Sequence, residues 1–84
     1  MKKILIYSKE ICPYCTKAKN LLQRKNLQFQ EIKITSDELK QEMIKKSNGR
    51  MTVPQIFIDD YHVGGCDDLY ALEAEGKLDE ILKK

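Results

Sequence analysis

The chain has 84 residues, 42% of them hydrophobic and 33% charged, with a net charge of +2. That length holds one domain, and that balance belongs to a globular protein rather than to a disordered segment. The charge is too small to call for a nucleic-acid or membrane partner.

Ile4, Leu5, Ile6 and Tyr7 read as a buried strand, being rich in β-branched and aromatic residues and too short for a helix. Lys2 and Lys3 precede this run, but four apolar residues make neither a signal-peptide core nor a membrane span, so export is not expected. From Pro13 the period becomes helical: Tyr14, Ala18, Leu21 and Lys25 share one stripe with Leu22 beside it. Pro13 suits a first helical turn, where no N–H is needed, and Asn26 is a stop. Phe29, Ile32 and Ile34 mark a second strand, completing a β-α-β unit with parallel strands and a right-handed crossover.

Thr35 and Glu38 fit a capping box that opens a second helix through Leu39, Met43 and Ile44, ended by Asn48 and Gly49. Ile56, Phe57 and Ile58 form a third strand, Asp59 and Asp60 a turn, and Tyr61, His62 and Val63 a hairpin partner. Asp67 and Asp68 open a third helix carrying Leu69 and Leu72, which stops at Gly76. Leu78, Ile81 and Leu82 make a last short helix. The order β-α-β-α-β-β-α-α predicts an α/β domain, a four-stranded mixed sheet with helices on both faces. The charges of Glu38, Lys40, Glu42, Lys45 and Lys46 read as a solvated helix face, and Lys83 and Lys84 as a solvated tail.

The three cysteines are Cys12, Cys15 and Cys66. An odd number with no export signal argues against a secreted disulfide scaffold and for a reducing compartment, the cytoplasm. Cys12-Pro13-Tyr14-Cys15 is then catalytic, metal-binding or incidental. The β-α-β unit puts it at the carboxyl end of a strand, where open α/β folds place their sites. Thiol–disulfide exchange needs an attacking thiolate and a departing one. A free cysteine is mostly protonated at neutral pH, but Cys12 precedes a helix whose unpaired N–H groups and dipole favour an anion. Lys9, Lys17 and Lys19 are near in sequence and positive. Cys15 lies one turn inward and more shielded, so Cys12 is the expected nucleophile and Cys15 the resolving thiol.

A Cys₃His zinc set from Cys12, Cys15, His62 and Cys66 is the metal alternative. The long separation and a strand-borne His-x-x-x-Cys disfavour it, and the hydrophobic pattern needs no metal to fold. Pro54 either punctuates the third strand or is cis and frees Val53 to pair with an extended peptide-like thiol. Gly64 and Gly65 allow close backbone approach ahead of a helix start, which serves either a tight turn or a bound carboxylate. Cys66 reads as a small inert residue and His62 as a strand side chain.

Taken together, these residues resemble the glutaredoxins, especially small bacterial dithiol members. The likeness runs through Ile6 to Lys9, Cys12 to Cys15, Ala18 and Lys19, Thr52 to Ile58, and His62 to Leu69. Thioredoxin is disfavoured, since its C-G-P-C centre with a preceding tryptophan is absent and the chain has no Trp. The resemblance implies a thioredoxin-like fold over residues 1–84, a cis Pro54 and a groove for glutathione. Thr52 and Val53 would pair with the cysteinyl backbone of the tripeptide, while Lys9 and Tyr14 would lie near its glycine end and sulfur. Gly65, Cys66 and Asp67 would hold the γ-glutamyl end. It further implies a glutathione-dependent enzyme acting on protein disulfides and glutathionylated proteins, with glutathione as reductant and no permanently bound cofactor or metal. The active-centre proline resembles members that do not assemble an iron–sulfur cluster between two subunits, and a monomer is the default. A metal or cluster carrier, and a reductase served by a flavoprotein, are the competing functions.

Overall fold

The computed structural model describes residues 2–83, so Lys84 lies outside the described residues. Its elements are β1 (Ile4–Ser8), α1 (Pro13–Arg24), β2 (Gln30–Lys33), α2 (Asp37–Lys46), β3 (Gln55–Ile58), β4 (Tyr61–Gly64), α3 (Cys66–Ala74) and α4 (Lys77–Lys83). The sheet order is β2-β1-β3-β4. β1 runs parallel to β2 and antiparallel to β3, and β3 runs antiparallel to β4. The expected mixed sheet and element order are present.

Alternation along the strands sends side chains to two cores. On one face Ile4, Ile6, Ile56 and Ile58 pack with Ala18, Leu21 and Leu22 of α1, Leu69 of α3 and Leu78 of α4. On the other, Tyr7 and Phe57 pack with Met43 of α2, flanked by Ile32 and Val53. A sheet covered on both faces explains why β3 is apolar and buried along its length.

The helix ends follow local chemistry. Asn26 stands at φ +59°, and the bonds Asn26 N to Gln23 O and Leu27 N to Leu22 O close α1 in a Schellman motif. Asn48 at φ +57°, with Gly49 N donating to Ile44 O at 2.8 Å, ends α2 in a similar way.

Three sequence expectations are corrected. Tyr14 is 61% exposed and leaves the buried stripe of α1 to Cys15, Ala18, Leu21 and Leu22. The N-cap of α2 is Ser36, whose hydroxyl accepts from Leu39 N at 3.3 Å, so Thr35 and Glu38 form no capping box. The cause is the sheet: Ile34 N donates to Ser8 O at 2.8 Å, which keeps the chain extended beyond β2 and delays helix entry. The α2 charges are not all merely solvated either. Glu42 accepts the hydroxyl proton of fully buried Tyr7 at 2.8 Å, and burial followed by this carboxylate pushes the phenol up to about 12.

Candidate active site

β1 ends at Ser8, and a short loop delivers Cys12 to the amino terminus of α1. Cys12 is the N-cap residue, with extended backbone at φ −153° and ψ 99°, and Pro13 begins the helix where no donor is needed. Its Sγ accepts from the Cys15 backbone N–H at 3.2 Å, the position an N-cap oxygen normally fills. Cys12 and Cys15 are joined as a disulfide, with Cα atoms 5.2 Å apart. Cys12 is half-buried whereas Cys15 is 1% exposed. The first turn of α1 carries no carboxylate to oppose a negative charge on that sulfur.

The lysine field is narrower than the sequence suggests. Lys19 is held by Glu31 at 2.8 Å, and Glu31 also accepts from the buried Ser8 hydroxyl at 2.5 Å. This triad ties α1 to the carboxyl end of β1. Lys17 Nζ sits 5.0 Å from the centre of the Tyr70 ring. Lys9 is exposed in the Cys12 loop.

A groove of about 320 Å³ opens beside this helix start. Tyr14 of α1 lines one side, and the Thr52, Val53 and Pro54 segment ahead of β3 lines another. The Val53–Pro54 bond is cis. Gly65, Cys66 and Asp67, at the corner from β4 into α3, complete the wall. All the residues implied for the tripeptide therefore meet in one concavity except Lys9, which stands outside its lining. A larger cleft, about 820 Å³, lies at the amino end of β1 between Lys2, Phe29 and Asp60. No thiol lines it, so size is a poor guide to the chemistry here.

Two further groove residues went unrecognised in the sequence, Arg50 and Asp68. Asp68 accepts from Gly65 N at 2.9 Å and from Arg50 Nη1 at 3.2 Å, fastening the loop after α2 to the β4–α3 corner. The Gly65 N–H is the chief cause that holds the Asp68 carboxyl below its ordinary range, with Arg50 assisting. α3 thus starts at Cys66, with Gly65 as N-cap, and Asp68 reaches back to the cap. Gly64, at φ +112°, is the glycine this corner requires, because a Cβ there would run into the Asp68 carboxylate. Arg50 lies between Asn48-Gly49 and Thr52-Val53-Pro54, and only its distance from Asp68 in space identifies it.

Cys66 is buried in the groove wall, and burial pushes its thiol up, toward the protonated and unreactive form. His62 Nε2 lies 2.7 Å from Gln55 Oε1, while Cys12 is bonded to Cys15. The Cys₃His set is not assembled, and among the described residues no three His, Cys, Asp or Glu side chains gather as metal ligands. Among them, too, no helix is long and apolar enough to cross a membrane.

The family profile described as glutaredoxin matches residues 4–63. Glutaredoxin 3 of Escherichia coli (strain K12) is 57% identical over 83 residues, spanning 99% of this chain and 100% of that protein. The solution structure of glutaredoxin from Brucella melitensis superposes with a TM-score of 0.86 at 56% identity, covering 99% of this chain and 90% of that one. The crystal structure of a buckwheat glutaredoxin–glutathione complex superposes with a TM-score of 0.88 at 29% identity, covering 98% and 77%. The architecture shared with these glutaredoxins is the thioredoxin-like fold. With its redox-active Cys12–Cys15 pair set at the start of α1, the chain belongs to the glutaredoxin family of thiol–disulfide oxidoreductases.

Proposed function

We propose that residues 1–84 act as one glutathione-dependent domain that reduces glutathione mixed disulfides and protein disulfides. The observation carrying this reading is the convergence of Tyr14, Thr52, Val53, Gly65 and Asp67 on a groove beside the Cys12 helix start. Glutathione is a peptide-like thiol with two carboxylates and one ammonium group. The Thr52–Val53 segment that lines the groove suits its peptide bonds. The amino terminus of α3 and Arg50 suit carboxylates, and the Asp67 carboxylate suits the ammonium group.

In the first branch the Cys12 thiolate attacks the glutathione sulfur of a mixed disulfide. A Cys12–glutathione bond forms, and the target leaves as a thiolate that takes up a proton. A second glutathione thiolate attacks the bound glutathione sulfur, releasing oxidised glutathione and restoring the Cys12 thiolate. For a protein disulfide, Cys12 forms the mixed disulfide and Cys15 displaces the target. Two glutathiones then reduce the Cys12–Cys15 bond and leave as oxidised glutathione, so two electrons pass in each cycle. Burial of Cys15 and partial exposure of Cys12 support this division of roles. Each step draws on one chain, so a monomer suffices, and the reading places the protein in the cytoplasm, where glutathione is kept reduced.

A glutathione-coupled assay of Cys12→Ser and Cys15→Ser tests the assignment. Cys12→Ser should lose both activities, and Cys15→Ser should keep mixed-disulfide reduction while losing reduction of protein disulfides. Retention of deglutathionylation by Cys12→Ser would overturn it.

A further inference from the structure

Gln55 opens β3 with a side chain that is fully buried. A buried amide is costly unless both its donor and its acceptor find partners. Its Nε2 donates to the Thr52 carbonyl at 3.0 Å and to the Thr52 hydroxyl at 3.3 Å. A carbonyl oxygen only accepts, so reversing the amide would set oxygen against oxygen. The amide orientation therefore leaves Oε1 facing His62 Nε2 at 2.7 Å, which requires the proton on Nε2. His62 is itself held in place by its sheet partner: it pairs with Phe57 across β3 and β4 and stacks on that ring at 4.8 Å.

The consequence falls on the Thr52–Val53 peptide. This bond is trans, the cis bond of the segment being Val53–Pro54. In a trans peptide the carbonyl and the following N–H point in opposite directions. Holding the Thr52 carbonyl against buried Gln55 therefore turns the Val53 N–H the opposite way, away from that amide, in a segment that lines the groove.

We propose that His62 and Gln55 are positioning residues, a relay from β4 that sets the direction in which the Val53 amide is offered to the backbone of a peptide-like thiol. The identity of that thiol rests on the glutathione reading above; the orientation of the amide does not.

His62→Phe keeps a ring over Phe57 and removes the donor, leaving the buried Gln55 Oε1 without a partner, so the side chain must shift from its place against the Thr52 carbonyl. The KM for a glutathione mixed disulfide should rise about tenfold with kcat little changed, the scale of one lost hydrogen bond. The rate with a pyridyl disulfide, which has no peptide backbone to pair, should stay the same. His62→Gln, which again offers an N–H, should recover much of the KM. In the unaltered protein, nitrogen NMR should find the neutral His62 ring protonated on Nε2. A ring protonated on Nδ1 overturns the proposal without any variant. So does an unchanged KM in His62→Phe, or an equal loss on both disulfides. If the unaltered protein fails to turn over the glutathione mixed disulfide, the proposed function falls. The relay is then judged by the Val53 amide resonance, which must move in His62→Phe and whose constancy overturns it.

Discussion

Replacing Glu31 by alanine probes how the carboxyl end of β1, and with it the loop bearing Cys12, is held. Two interactions end there: the Lys19 ion pair at 2.8 Å and the hydrogen bond from Ser8. The Lys19 and Glu31 side chains are 24% and 25% exposed, so the ion pair contributes about 0.5 kcal/mol, as partly solvated pairs do. Ser8 is 0% exposed, and leaving its hydroxyl without an acceptor costs about 1–3 kcal/mol. The hydroxyl therefore dominates, and Glu31→Ala should cost about 2 kcal/mol. Ser8→Ala removes the donor along with the bond and should cost about 1 kcal/mol. Lys19→Met removes only the ion pair and should cost about 0.5 kcal/mol. In a domain of this size about 2 kcal/mol lowers Tm by roughly 8–16 °C. Thermal and urea unfolding followed by circular dichroism would rank the three variants. A Lys19→Met loss equal to that of Glu31→Ala would refute this ranking, because the ion pair would then outweigh the buried hydroxyl.

Acid should expose the Asp68 latch. Its carboxyl titrates below the ordinary aspartate value of about 3.9, so its stabilisation is full above that pH and is lost as pH falls through the depressed value. Asp68→Asn should flatten the acid limb of the unfolding curve, and an unaltered limb counts against the latch. Gly64→Ala combines φ +112° with a Cβ driven into the Asp68 carboxylate, and should cost about 2 kcal/mol or more in urea unfolding; a neutral result would show that the corner yields freely. Leu69→Ala, at a fully buried position between α3 and the sheet, should cost about 2–5 kcal/mol, whereas Ile11→Ala at 91% exposure should stay within about 0.5 kcal/mol. Equal effects of the two on Tm would contradict the assignment of the core.

Much of the architecture was legible because it rests on local chemistry. Strand and helix periods, the stops at Asn26, Asn48 and Gly76, and the placement of Cys12 before α1 each depend on a few neighbouring residues. Apart from Tyr14, the misread positions are those where distant segments intervened. Thr35 lost its cap role because Ile34 bonds to Ser8 in β1. Lys19 is spent on Glu31, twelve residues away, and Glu42 on Tyr7, thirty-five away. Arg50 joins the groove through Asp68, and Gln55 reaches His62 across the hairpin; no spacing rule marks either pair.

The sequence by itself therefore determined the elements, their order and the dithiol at the head of α1, because period, capping and spacing act within a turn or two. Tertiary structure alone decided which charges stay free near Cys12, which carboxylate latches the groove and which way the Thr52–Val53 peptide faces. Those outcomes depend on polar groups that must find partners once the sheet and helices bury them, and the partners come from wherever the fold brings the chain back.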